Sequence, residues 1–147
     1  MPHAVVRSRK VYYELHGEQS GVPLVLIMGT GGSCRGWLPI QVPDFSQEHR
    51  TLIFDHPGVG GSEDSGGAFT TASLADDTVG LMDALEIEKA NLLGVFMGGM
   101  VAQEQRRSAV RTSRRAMQSE HFAVREAVRA RRPGHGDRTQ SRSTTCQ

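Results

Sequence analysis

Three stretches of the chain are apolar almost without interruption: "PLVLIMG" at 23–29, "RTLIFD" at 50–55 and "KANLLGV" at 89–95. Continuous apolar runs of this length suit strands covered on both faces, so they predict parallel strands inside an α/β layer. Upstream, "KVYYELHG" (10–17) opens with β-branched and aromatic residues and closes on glycine, which predicts a strand. "AVVRS" (4–8) is its expected antiparallel partner. Between the second and third runs the period changes. Leu74, Thr78, Leu81, Met82 and Leu85 recur at helical spacing, and Asp76 and Asp77 suit the positive first turns. With Thr71 or Ser73 as a cap, this predicts a helix near 71–86.

The remaining segments are punctuation. "RGWLPIQVPDFSQ" (35–47) reads as a Pro-interrupted helix or a pair of turns, and "GTGGS" (29–33) and "HPGVGGSEDSGG" (56–67) read as loops. Strands alternating with helices imply a parallel sheet with right-handed crossovers. Working residues of such sheets lie beyond the carboxyl ends of the strands, where the Gly-rich loops of this chain fall. The runs at 23–28 and 90–95 are expected to be neighbours in one sheet.

Composition divides the chain in two. Residues 1–104 carry six Lys/Arg against thirteen Asp/Glu, a net of −7, whereas residues 105–147 carry eleven Arg against three acids, a net of +8. The overall charge of +1 is the cancellation of these halves. Only four Val, Ile, Leu or Phe residues occur in the 43 after Glu104. So little apolar area does not offset an ordering entropy of roughly 1–2 kcal/mol per residue, and the segment is expected to be largely disordered, with one basic helix at about 114–132. Cys34 and Cys146 give no disulfide framework, and no stretch has the make-up of a secretion signal or the length of a membrane span. A cytoplasmic chain is the expectation.

The chemistry concentrates at "GVFMGG" (94–99), where two glycines flank Phe96 between the third apolar run and the helix beginning near Met97. The segment resembles the nucleophile elbow of the α/β-hydrolase family, G-x-S-x-G, whose turn is too tight for side chains at its flanks. Gly94 and Gly98 stand at those flanks. Two further motifs follow in family order. "LIMGTGG" (26–32) is similar to the loop that supplies an oxyanion-hole N–H. "DHPGVGGS" (55–62) is similar to the D-x-R-G-x-G-x-S loop, with Pro57 where arginine is usual. The resemblance covers about residues 4–104 and leans toward esterases, lactonases and haloperoxidases. It implies a partial hydrolase domain over 1–104, followed by an Arg-rich tail over 105–147, and chemistry on a small-molecule ester or lactone.

One position departs from that pattern. The nucleophile site holds Phe96, a ring with no lone pair to attack a carbonyl and no proton to pass to a histidine. The elbow residue also normally sits at positive φ, where a bulky residue costs on the order of 1–3 kcal/mol. One alternative makes Phe96 a core filler of the pocket; the other makes it a lost nucleophile. The resemblance implies an oxyanion pair in the backbone N–H groups of Thr30 and Met97. It also places the triad acid and histidine on later strands, and no further run of strand type follows the elbow helix. Asp55 and His56 are polar pocket candidates, Asp55 as an anchor of its own loop and His56 as a solvated or turn residue. Ser33, Cys34 and Ser62 are nucleophiles by type only. The reading assigns no metal and no cofactor.

Three functional readings compete: an inactive hydrolase-family chain, a weak hydrolase built from unconventional groups such as His56, and a non-catalytic module whose basic tail contacts nucleic acid or an acidic membrane surface. Against the last, the tail has no aromatic interleaving beyond Phe122. The tail itself suggests a shifted reading frame. With Arg as CGN and Ser as TCN, reading from the third base of the Gln105 codon permits Ala-Ala-Leu-Arg-Gly-Pro-Asp-Val after Glu104. Missing later strands would also leave the strand at 89–95 on an open sheet edge, a template for self-association.

Overall fold

The computed structural model describes residues 2–18 and 20–111, together with the backbone of residues 119–120, 123–124 and 127–129. In chain order the elements are β1 (His3–Val6), β2 (Arg9–His16), β3 (Leu24–Ile27), a 3-10 turn (Cys34–Trp37), α1 (Gln41–Phe45), β4 (Thr51–Phe54), α2 (Thr71–Ala84), β5 (Lys89–Gly94) and α3 (Met97–Arg111). Three short strands follow: β6 (Ser119–Glu120), β7 (Ala123–Val124) and β8 (Ala127–Arg129).

The main sheet has the order β1-β2-β4-β3-β5-β8. β1 and β2 form the expected antiparallel pair, and β2 joins β4 antiparallel with Tyr13 opposite Phe54. β3 is parallel to both β4 and β5, with Leu26 opposite Ile53 on one side and Leu93 on the other. The two outer apolar runs are therefore neighbours, as the sequence pattern requires. Every residue of β3 and β4 is buried, which explains why neither strand alternates.

Each sheet face has its own core. Val25, Ile27, Leu52, Phe54 and Leu92 pack with Leu74 and Leu81 of α2 and Val101 and Ala102 of α3. Leu24, Leu26 and Ile53 pack on the opposite face with Tyr12, Cys34, Trp37 and Val42. A fully buried leucine or isoleucine contributes about 1.5–3 kcal/mol, so these strand residues are the main apolar source of stability.

Local details refine the sequence reading. The cap of α2 is Thr70, not Thr71: its side chain accepts from the Ser73 N–H while the Ser73 hydroxyl accepts from the Thr70 N–H. Ser73 thus acts from the third helical position of a capping box. Asp77 faces inward and takes Arg9 Nη2 on both carboxylate oxygens, at 2.9 and 3.0 Å, which ties α2 to the β1–β2 hairpin.

Past Glu104 the helix continues to Arg111, and Gln105 is buried with its Nε2 donating to the Ala75 carbonyl at 3.2 Å. Within 114–132, where a basic helix is expected, the described residues are the strands β6, β7 and β8; the rest lies outside the described residues. β8 runs antiparallel to β5, pairing Arg129, Val128 and Ala127 with Lys89, Ala90 and Asn91. The open edge expected at β5 is therefore taken along its first half. The backbone groups of Lys89–Asn91 find partners there, which removes the physical ground for edge-to-edge pairing at those residues.

Replacing Asp77 with alanine leaves the partly buried Arg9 guanidinium unpaired, and urea denaturation should report a loss of about 2 kcal/mol. An unchanged midpoint would remove this pair from the account of how the hairpin is held.

Candidate active site

β5 leads directly into a turn that brings the start of α3 back onto the end of β3. The Val95 N–H donates to the Ile27 carbonyl at 3.2 Å, and the Gly98 N–H closes the turn on the Val95 carbonyl at 2.8 Å. The backbones approach so closely that side chains are excluded. A Cβ on Gly94 would collide with the Gly98 carbonyl and come within 2.6 Å of the Gly99 nitrogen. A Cβ on Gly98 would lie 2.7 Å from the Ile27 carbonyl carbon and 2.8 Å from the Met28 carbonyl oxygen.

At the apex, Phe96 has φ 49° and is 81% exposed. Its ring fills no core, which excludes the pocket-filler alternative. The residue holds the left-handed conformation of an elbow and presents a hydrocarbon ring to solvent, close above Gly29: a Cβ there would stand 3.2 Å from the Phe96 Cβ. Met97 opens α3, so its N–H has no carbonyl of its own helix within reach and lies at the positive end of the helix dipole. Thr30 stands beside it, its Oγ1 3.4 Å from Met97 Sδ. Thr30 and Met97 are therefore adjacent next to the elbow.

Asp55 and His56 follow β4 on the same side of the sheet. The Asp55 carboxylate accepts from the Cys34 N–H at 2.7 Å and the Gly61 N–H at 2.9 Å. The expectation of a solvated His56 is corrected: the residue is 3% exposed, its ring lies edge-on to Phe54, and Nε2 donates to the Met28 carbonyl at 3.1 Å. A carbonyl can only accept, so Nε2 carries the hydrogen and Nδ1 is the bare nitrogen. Nδ1 is buried without a hydrogen-bond partner. Burial holds the imidazole below its ordinary pKa, against the opposing influence of the Met28 carbonyl, Asp77 and Asp55.

The hydroxyl and thiol candidates are engaged elsewhere. Ser33 Oγ accepts from the Arg35 N–H and caps the 3-10 turn, while Ser62 Oγ donates to the Asp55 carbonyl and accepts from the Tyr12 N–H. Cys34 is fully buried, and its thiol is pushed far up by burial first and by Asp55 second, which keeps it protonated and unreactive. Among the described residues no group of three or more His, Cys, Asp or Glu could hold a metal ion.

A polar cluster on β2 went unrecognised in the sequence. Tyr12 donates to Glu14, Glu14 meets His16 Nε2 at 3.0 Å, and Arg35 Nε lies 3.6 Å from Glu14. The hydrogen bond to Glu14 raises the Tyr12 pKa, with the Arg35 contact opposing it. The available signal is Tyr, Glu and His at alternate positions, which places all three on one face of the strand.

The elbow geometry separates strain from space. Phe96→Gly should raise stability by about 1 kcal/mol, because glycine adopts positive φ without penalty. Gly98→Ala should lower it by at least about 3 kcal/mol, because backbone must move. Thermal unfolding of the two variants checks this; equal shifts would contradict it.

The comparisons agree with this geometry. The family model described as alpha/beta hydrolase fold matches residues 22–104. A Mycobacterium tuberculosis protein named as a non-heme bromoperoxidase, BpoC, is 43% identical over 86 residues, covering 58% of this chain and 32% of that protein. An Azorhizobium caulinodans protein named as a carbamate hydrolase, RutD, is 33% identical over 104 residues, covering 71% of this chain and 38% of its own length. The crystal structure of an enol-lactonase from Burkholderia xenovorans superposes with a TM-score of 0.64 at 37% identity, over 68% of this chain and 39% of that one. The chain spans about a third of the length of these curated relatives. With strand order, elbow and glycine contacts in agreement, the chain belongs to the α/β-hydrolase family.

Proposed function

We propose that this chain keeps the elbow and oxyanion frame of an α/β hydrolase but does not itself hydrolyse esters or lactones. The observation that carries the reading is Phe96: the apex of the elbow is exposed, at positive φ, and has no hydroxyl. The oxyanion donors are the N–H groups of Thr30 and Met97. Donors of this kind accelerate acyl transfer only when a nucleophile creates the tetrahedral oxyanion they stabilise. The engaged states of Ser33, Cys34 and Ser62 support the absence of a substitute. His56 is ill-suited as a base, because Nε2 is bonded to Met28 and Nδ1 is shielded from solvent.

The same reading divides the chain at Glu104. The family match stops at residue 104, where the composition turns Arg-rich, and this supports a segment read from a shifted frame. The ligand class, if the frame binds one, is a small ester or lactone, in keeping with the enol-lactonase fold neighbour.

Nitrophenyl acetate tests the proposal in two arms. The chain itself should stay at the buffer rate, and Phe96→Ser should stay there too. A serine hydroxyl is a weak nucleophile near neutral pH without a base, and triad members act as a unit. Turnover by the unsubstituted chain would overturn the proposal outright. Turnover by Phe96→Ser alone would show that a base within residues 1–147 completes the site.

A further inference from the structure

The loop from Met28 to Cys34 carries Thr30, yet little inside it makes it rigid. Three of its seven residues are glycine, Gly31 has φ 68°, and its one internal backbone hydrogen bond is a turn from the Gly32 N–H to the Gly29 carbonyl at 3.2 Å. Glycines lose the most conformational freedom on ordering, so such a loop keeps one shape only if held from outside. Both of its ends are held by consecutive residues of the β4 loop. His56 Nε2–H donates to the Met28 carbonyl at the start, and the Asp55 carboxylate accepts from the Cys34 N–H at the end.

We infer that Asp55 and His56 are positioning residues: together they clamp the 28–34 loop and so fix the Thr30 N–H beside Met97. The clamp is itself anchored. The Asp55 N–H donates to the Tyr12 carbonyl at 3.0 Å, its carbonyl accepts from Ser62, and its second carboxylate oxygen accepts from Gly61. Gly60, at φ 54°, leaves no room for a Cβ against that carboxylate. His56 is wedged between the Phe54 ring and the Met28 carbonyl, and with Nδ1 unpartnered its one hydrogen bond is the one made by Nε2. The inference bears on the oxyanion reading of Thr30, but its test reads the loop alone. An active chain would overturn the proposed function and leave the clamp standing.

The charged groups that influence His56 are Asp55 on its own loop and Asp77 on α2; both favour the proton, and burial outweighs them. The folded state therefore refuses a proton that the unfolded chain accepts. Stability contributed by the neutral ring is complete above the ordinary imidazole value of about 6.5 and declines as pH falls below it.

Amide hydrogen exchange at Gly32 and Cys34, with amides of α2 and β5 as reference, tests the clamp. In His56→Phe, exchange at Gly32 and Cys34 should rise about tenfold, the scale of one lost hydrogen bond, with the reference amides unchanged. In His56→Gln, whose side-chain amide can still donate to the Met28 carbonyl, protection should return. Unchanged exchange at Gly32 and Cys34, a rise shared equally by α2 and β5, or failure of glutamine to rescue would overturn the inference. If the phenylalanine variant does not fold, the unsubstituted chain decides. There the Gly32 and Cys34 amides should exchange well below the rate of an unstructured chain, and exchange at that unstructured rate would overturn the clamp.

Discussion

Between the end of β3 and the start of α3 there is no room for a methyl group, and the rest of the site follows from that contact. Gly98 lies against the Ile27 and Met28 carbonyls, and Gly94 lies against Gly98 itself. Because α3 can approach this closely, Asn91–Gly94 of β5 pair with all four residues of β3, and Val101 and Ala102 reach the core under the sheet. The same approach forces the apex residue between the two glycines into the left-handed region and out toward solvent. A serine there would be an exposed nucleophile. The phenylalanine inherits the strain and the exposure without the chemistry. Under the proposed function the frame is separable from the reaction: its steric requirement is met in full, and its chemical requirement is not.

Around the elbow, polar groups are spent on geometry. Asp55 gathers the Cys34 and Gly61 N–H groups, Ser62 ties Asp55 to β2, and His56 holds the Met28 carbonyl. Each of these side chains looks reactive by type, and each is occupied as an anchor for a Gly-rich loop. Buried polar groups are costly unless paired, and apart from His56 Nδ1 the polar atoms of these three side chains are paired with the loops they hold.

The strands were legible because β3 and β4 are buried on both faces, which leaves an apolar run that no surface segment would carry. The elbow was legible for a different reason: its flanking glycines between an apolar run and a helix resemble the family motif G-x-S-x-G, whose turn brings backbone against backbone. Burial of His56 was not legible. It depends on the β4 loop folding over Met28, a long-range contact that leaves no local pattern. Thr70 was missed as the cap of α2 because three of the four residues at 70–73 carry hydroxyls, Thr70, Thr71 and Ser73, and only the observed φ and ψ choose among them. β8 was missed because Ala127, Val128 and Arg129 are too few to show a period, and their strand conformation comes from the β5 edge. The β2 cluster was overlooked because Tyr12, Glu14 and His16 alternate with residues that already explain the strand.

The central claim is that a hydrolase elbow here holds no nucleophile. Incubating the chain with a fluorophosphonate, which phosphonylates an activated serine irrespective of substrate preference, and weighing the intact protein tests that claim most directly. The account predicts an unchanged mass, because every serine near the elbow is held in a structural hydrogen bond and the apex is Phe96. A stoichiometric adduct mapped to Ser33, Ser62 or any other residue beside the elbow would contradict it.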